Sequence, residues 1–251
     1  MDAYVALLGT AAAIGFFHTL FGPDHYVPFV AMARVGRWSL RKTLLVTLLC
    51  GLGHVGSSVL LGSLGVAGGV ILLRLENLES ARGELAGWLL LGFGITYFVW
   101  GVLQAIRNAP HTHVHAHEDG TVHEHVHRHQ GGHLHVHAKN SVSHATADGP
   151  GSHAAPRPDS VTPWILFTIF VFGPCEPLIP MLMYPAAQAD SGLVALVALV
   201  FGLVTLATMT GSVLFLLWGV SWFSSHSLHR YGHAVAGLSI TACGLAVKFG
   251  L

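Results

Sequence analysis

Phe21-Gly22-Pro23-Asp24-His25-Tyr26-Val27-Pro28 and Phe172-Gly173-Pro174-Cys175-Glu176-Pro177-Leu178-Ile179-Pro180 follow one pattern. Each lies inside an apolar segment and reads Phe-Gly-Pro, then two side chains able to bind a metal, then a second proline. Proline has no N–H, so a helix is interrupted at each site and a carbonyl one turn earlier loses its partner. The copies are about 150 residues apart. The same offset brings Gly56-Ser57-Ser58-Val59 onto Thr210-Gly211-Ser212-Val213, which is the behaviour of an internal repeat.

Working outward from these two stretches, six segments are apolar enough to span a bilayer, for which about 20 residues suffice. They run Val5–Met32, Leu44–Val66, Leu85–Ile106, Pro163–Ala187, Leu193–Val220 and Ala234–Phe249. The expected architecture is an all-α membrane protein of six transmembrane helices. Three spans in each half invert the second half relative to the first, giving a 3+3 inverted repeat with helices one and four broken. Inverted repeats with Gly/Pro-interrupted helices in matching positions point to a transport site near the bilayer midplane. The chain divides into a first repeat (1–109), a histidine-rich loop (110–162) and a second repeat (163–251).

Composition agrees with this reading. Only 10% of the 251 residues are charged, and 52% are apolar, where a soluble domain would carry about a quarter charged. The 30 glycines suit membrane helices, in which small residues let backbones approach. Net charge is zero, so a nucleic-acid partner has no electrostatic footprint. Cys50, Cys175 and Cys243 form no CxxC pair, and no disulfide framework is expected. Met1-Asp2-Ala3-Tyr4 lacks the basic start of a secretory leader, so no cleaved signal is expected.

Arg34, Arg37, Arg41, Lys42, Arg107, Arg128, Lys139, Arg157 and Arg230 fall on one side of the predicted spans; Arg74, Arg82 and Lys248 fall on the other. The positive-inside rule then puts the histidine loop in the cytoplasm and both termini outside, as in a bacterial inner membrane. Ile71–Leu78 reads as a short interfacial helix on the outer side. The loop is polar and rich in His, Gly, Ser and Pro, and a segment without regular structure is expected. Its alternating tracts hold His111, His113, His115 and His117, then His123, His125, His127 and His129, then His133, His135 and His137. Such tracts bind metals compositionally, which makes them an accessory metal-binding loop.

Ionisable groups within a span are costly, and their presence points to function. Asp24 and Glu176 are the carboxylates deep in predicted spans, each at a break. His18 precedes His25 by seven residues, close to two helical turns, so both share a face. His54, in Gly53-His54-Val55-Gly56, adds an imidazole from the second span. Mixed imidazole and carboxylate ligands favour the later first-row metals over magnesium or calcium. The candidate metal ligands are therefore His18, Asp24, His25, His54, Cys175 and Glu176. His226, His229 and His233 read equally well as an ordinary polar loop or as a delivery site.

With these residues in hand, the chain resembles the nickel/cobalt permease superfamily, which includes urease-associated nickel permeases and nickel/cobalt efflux proteins. The family's His-x4-Asp-His element is matched here by His18-x5-Asp24-His25, one residue longer; Gly53-His54 and Pro174-Cys175 also look familial. The resemblance implies secondary transport of a divalent metal, nickel or cobalt with zinc as a third candidate. It implies no permanently bound cofactor, and a cytoplasmic metallochaperone is a candidate partner. Oligomeric state and direction are left open. Two other classes compete: a transmembrane thiol–disulfide electron carrier and a sulfite-type anion exporter. The first requires two facing thiols, and the first span contains no cysteine. The second would want basic residues at the midplane, where two carboxylates stand. No Walker-type loop is present, so a permease rather than an enzyme is expected.

Overall fold

The computed structural model describes residues 2–68, 72–107, 111–116, 122–127, 158–188, 190–220 and 228–249. Helix α1 (Asp2–Phe21) leads through a single 3-10 turn (Pro23–His25) into α2 (Val27–Val35), followed by α3 (Leu40–Ala67) and α4 (Leu72–Arg107). A hairpin of β1 (His111–Ala116) and β2 (Val122–His127) comes next. Then follow α5 (Pro158–Phe172), α6 (Leu178–Ala187), α7 (Ser191–Val220) and α8 (Leu228–Phe249). Among the described residues, five helices are long and apolar enough to cross a membrane: Ala3–Phe21, Leu40–Gly65, Leu73–Arg107, Ser191–Gly219 and Tyr231–Phe249. By length and composition the chain is a multi-pass helical membrane protein.

Several elements differ from the sequence-based expectation. Six spans were expected, the fourth interrupted at Gly173-Pro174; Pro163–Ala187 is divided between α5 and α6, whose apolar parts, Thr162–Phe172 and Leu178–Ala187, are each too short to count as a span. The five residues Gly173 to Pro177 separate them, because neither proline donates the N–H that would carry the helix through. Of the interfacial helix expected at Ile71–Leu78, residues 72–78 are instead the beginning of α4. That helix has 36 residues, about 54 Å at 1.5 Å per residue, against a hydrocarbon thickness of about 30 Å. Inside the loop expected to lack regular structure, β1 and β2 pair antiparallel, with His111 opposite His127, His113 opposite His125 and His115 opposite His123. The His-x-His-x alternation has the two-residue period of a strand, a signal that the polar composition of the tract masked. His117, His129, His133, His135 and His137 lie outside the described residues, as does His226.

Local chemistry sets the helix starts. The Ser39 hydroxyl accepts from the Lys42 backbone N–H at 3.3 Å, and Asp190 Oδ1 accepts from the Leu193 N–H at 2.9 Å. Both satisfy donors that a helix N-terminus leaves unpaired.

Large apolar side chains cover the outside, and several polar ones are buried among the apolar interior. Leu45, Leu52, Leu203, Phe215 and Trp218 are exposed, while Thr19, Thr47, His25, His54, Ser58, Glu79 and Thr205 are buried. Water would penalise that distribution and lipid does not. One apolar cluster joins Phe29, Met32, Val46, Leu166, Phe170, Met209 and Ile240. A second joins Ala11, Cys175, Leu178, Leu182, Val197 and Phe201. Helices α4 and α8 meet along a seam of glycines, where Gly94 faces Thr241, Gly101 faces Ala234, Gly237 faces Phe98 and Gly244 faces Leu91. The backbones are close enough that no Cβ fits at these positions, so the sequence must place glycine there.

Candidate metal centre

The site is assembled where α1 ends. The Gly22 N–H still reaches the His18 carbonyl at 3.1 Å, and the 3-10 turn closes with His25 N–H on the Gly22 carbonyl at 3.1 Å. Side chains take up the carbonyls at the interruption. The Tyr26 hydroxyl donates to the Leu20 carbonyl at 3.1 Å, and His25 Nδ1 lies 3.1 Å from the Gly22 carbonyl. Asp24 Oδ1 is 3.3 Å from the same nitrogen. With two acceptors facing Nδ1, the proton belongs there, and Nε2 presents its lone pair to the interior.

His54 arrives from the middle of α3. Its ring lies against Gly173, where an added Cβ would come 3.0 Å from Nδ1, and its Nε2 has no partner. The His54 carbonyl accepts from the Ser57 hydroxyl at 2.9 Å. His18 comes from the last turn of α1. The His18 and His25 ring centres are 4.9 Å apart, and those of His25 and His54 are 5.1 Å apart. Both pairs meet nearly edge to face.

Three buried nitrogens, the Nε2 atoms of His18, His25 and His54, have no hydrogen-bond partner. The three residues offer ligand atoms within 4.8 Å of one another. A buried polar atom without a partner is unusual and calls for an explanation. Three of them on rings gathered this closely are explained by an electron-pair acceptor placed among them. Imidazole nitrogen suits zinc, copper, iron and nickel, bonded in the zinc case at about 2.0–2.1 Å. Asp24 stands behind His25, where a carboxylate fixes the tautomer and raises the basicity of a metal-binding imidazole.

The sequence-derived ligand set is thus only partly gathered. His18, His25 and His54 converge, and Asp24 touches His25. Cys175 and Glu176 stand apart from this group. After Pro174 the chain turns Cys175 toward α3 and α4, where its N–H reaches Ser58 Oγ at 3.2 Å and Glu79 Oε1 at 3.4 Å. The Glu176 side chain is exposed. His233, near the start of α8, pairs its Nδ1 with the Tyr97 hydroxyl at 2.8 Å.

Sequence reasoning missed Glu79 and Arg82, which it assigned to an outer loop. Both belong to α4. Glu79 is buried and ion-paired with Arg82, next to the α5–α6 junction. The signal was present in the spacing: Leu75, Glu79, Ala86 and Leu90 are all buried and fall on one helical stripe, with Glu79 occupying an otherwise apolar slot.

The glycine before the first break is fitted closely to the site. A Cβ on Gly22 would lie 2.5 Å from His25 Nδ1. Gly22→Ala is therefore expected to push the imidazole off its carbonyl and weaken cobalt(II) binding by roughly tenfold or more, the scale on which metal-supporting contacts act. Titration of the purified protein, followed by the visible absorption of bound cobalt, would check this. Wild-type affinity in the variant would mean that the ring position is unimportant.

Comparison of the chain with family models, curated proteins and solved structures gave no match.

Proposed function

We propose that this chain is a secondary permease for a divalent transition-metal ion, nickel or cobalt in the first instance and zinc next, with His18, His25 and His54 as the substrate ligands. The observation that carries the proposal is the set of three partnerless imidazole nitrogens inside an apolar helical assembly. Left empty, the site strands three buried acceptors, at a cost of roughly 1–3 kcal/mol for each unsatisfied group. A metal ion satisfies all three at once. Neutral ligands with one flanking carboxylate hold a dication without fully neutralising it, which favours release as well as capture.

Two further features support the reading. The chain resembles the nickel/cobalt permease superfamily in His18-x5-Asp24-His25, Gly53-His54 and Pro174-Cys175. The two interruptions also solve one problem at equivalent places: the carbonyls of Leu20 and Gly22 are tied by Tyr26 and His25, and those of Val171 and Gly173 by Arg82. That correspondence favours an inverted repeat with two broken spans and alternating access around a central site. Arg82 belongs to α4 and not to a loop, so the positive-inside asymmetry is stronger than a loop count suggests. That asymmetry favours an orientation with the histidine-rich loop on the cytoplasmic side of a bacterial inner membrane, where a metallochaperone would meet it.

The reading is tested by metal accumulation in cells expressing the wild type and the His25→Ala variant. Nickel, cobalt and zinc contents that match between the two, and match cells without the protein, would remove it. Deleting residues 111–157 separates the loop from the core. The variant is expected to keep transporting while its dependence on external metal concentration shifts, because the ligands in α1, the 3-10 turn and α3 are untouched. Complete loss of accumulation in a correctly inserted variant would make the loop essential.

A further inference from the structure

The two helix interruptions are held by different means. The first is tied by its own residues, Tyr26 and His25. The second, between α5 and α6, depends on a side chain from another helix. The Arg82 guanidinium reaches from α4 to the Ser57 hydroxyl at 2.6 Å, the Val171 carbonyl at 2.8 Å and the Gly173 carbonyl at 3.4 Å. It also contacts Ser58 Oγ at 3.5 Å and pairs with Glu79. Glu79 and Ser58 in turn accept from the Cys175 N–H. Residues 171–175 are thus pinned through their backbone to α3 and α4 by one charged network.

The network adjoins the imidazole site. Ser57, which binds Arg82, also binds the His54 carbonyl. A Cβ on Gly173 would lie 3.0 Å from His54 Nδ1. Beside His54 there is therefore a cage of oxygens, comprising the Glu79 carboxylate, two serine hydroxyls and two carbonyls, filled by a cation that belongs to the protein. Oxygen donors of this kind suit hard or hydrated divalent cations.

We propose that Arg82 is the gate of the ion path, a tethered cation that closes the oxygen-lined side of the imidazole site and withdraws when an ion passes. This rests on the permease reading. Withdrawal unties residues 171–175 and leaves the Glu79 carboxylate and the freed carbonyls to receive the ion that the imidazoles release. Arginine suits the role because its planar fork binds several acceptors at once; lysine keeps the charge but cannot span them.

Cys175 reports the state of the gate, since it is buried and its N–H is part of the network, while Cys50 and Cys243 are also free and buried and serve as internal references. Membranes containing the wild type, Arg82→Lys or Ser57→Ala are treated with N-ethylmaleimide, and modification is mapped by mass spectrometry. Arg82→Lys is expected to raise Cys175 labelling about tenfold over the references, the scale expected when a charge-assisted hydrogen bond holding a closed state is lost. Ser57→Ala, which keeps the Glu79 pair, should give a smaller rise. Wild-type protection of Cys175 in both variants overturns the gate. Equal labelling of all three cysteines indicates general loosening and also counts against it. A second measurement separates gating from ligand positioning. Nickel(II) titration of purified Arg82→Lys should give wild-type affinity, and a loss as large as that of His25→Ala overturns the proposal. The labelling result needs no metal, so a gate that fails and a permease reading that fails give different outcomes.

Discussion

His25→Ala is expected to lower nickel and cobalt affinity by roughly a hundredfold or more, beyond the 10–100-fold typical of losing an outer-shell partner. The substitution removes one of the three partnerless Nε2 atoms and also the ring that ties the Gly22 carbonyl. His54→Ala separates the two effects, because it removes a ligand from α3 and leaves the Gly22 carbonyl bonded. Similar losses in the two variants, measured by isothermal titration in detergent, assign the effect to the ligands. A loss confined to His25→Ala would assign it to the break. Asp24→Asn should fall in the smaller range, since the carboxylate acts through His25 Nδ1. Unchanged binding in both alanine variants would remove the site altogether.

Gly237→Val is expected to have the largest effect on the fold. A Cβ at residue 237 would overlap the backbone nitrogen of Phe98, and at Gly244 it would lie 2.6 Å from the Leu91 nitrogen. Backbone cannot turn aside as a side chain can, so α8 must move away from α4. Overpacking typically costs about 1–3 kcal/mol and more where relief is blocked. Gly94 and Gly101 on α4 and Gly237 and Gly244 on α8 are each seven residues apart, so one face of each helix stays at the seam over two turns. Helix α8 also packs on α2 and on the 3-10 turn, so the shift would reach His25. The thermal unfolding midpoint of Gly237→Val should drop, with aggregation on size exclusion. Gly92→Ala, which meets nothing within 4 Å, should behave as wild type. An unchanged midpoint in Gly237→Val would contradict the close seam.

Much of the architecture was legible before any coordinates. A long apolar run must be helical in lipid because its backbone has no other partner there. A Gly-Pro within the run must interrupt it, because proline removes a donor. Those two rules locate α1, α3 and α7 to within a few residues and mark both interruptions, while α8 begins six residues before the expected Ala234. The fate of the second interruption was less legible. Whether Pro163–Ala187 forms one bent span or two short helices depends on what binds the freed carbonyls, and Arg82 lies about ninety residues away in sequence.

The candidate site shows the same division. Sequence alone determined the residue types: His18, Asp24, His25 and His54 are ionisable groups in apolar helices, and their cost there implies a use. It also fixed the spacing of His18 and His25, because helical periodicity is local. Only the tertiary structure decided membership. It brought His54 from α3 to the other two imidazoles, kept Asp24 as the support of His25, left Glu176 exposed, and drew Cys175 toward Glu79 and Ser58. It also withdrew Arg82 from an assumed loop and set it against the α5–α6 junction. The reason is physical: local sequence fixes the period and the breaks of a helix, but which faces meet depends on packing between segments far apart in the chain, and convergence of ligands is a property of those meetings.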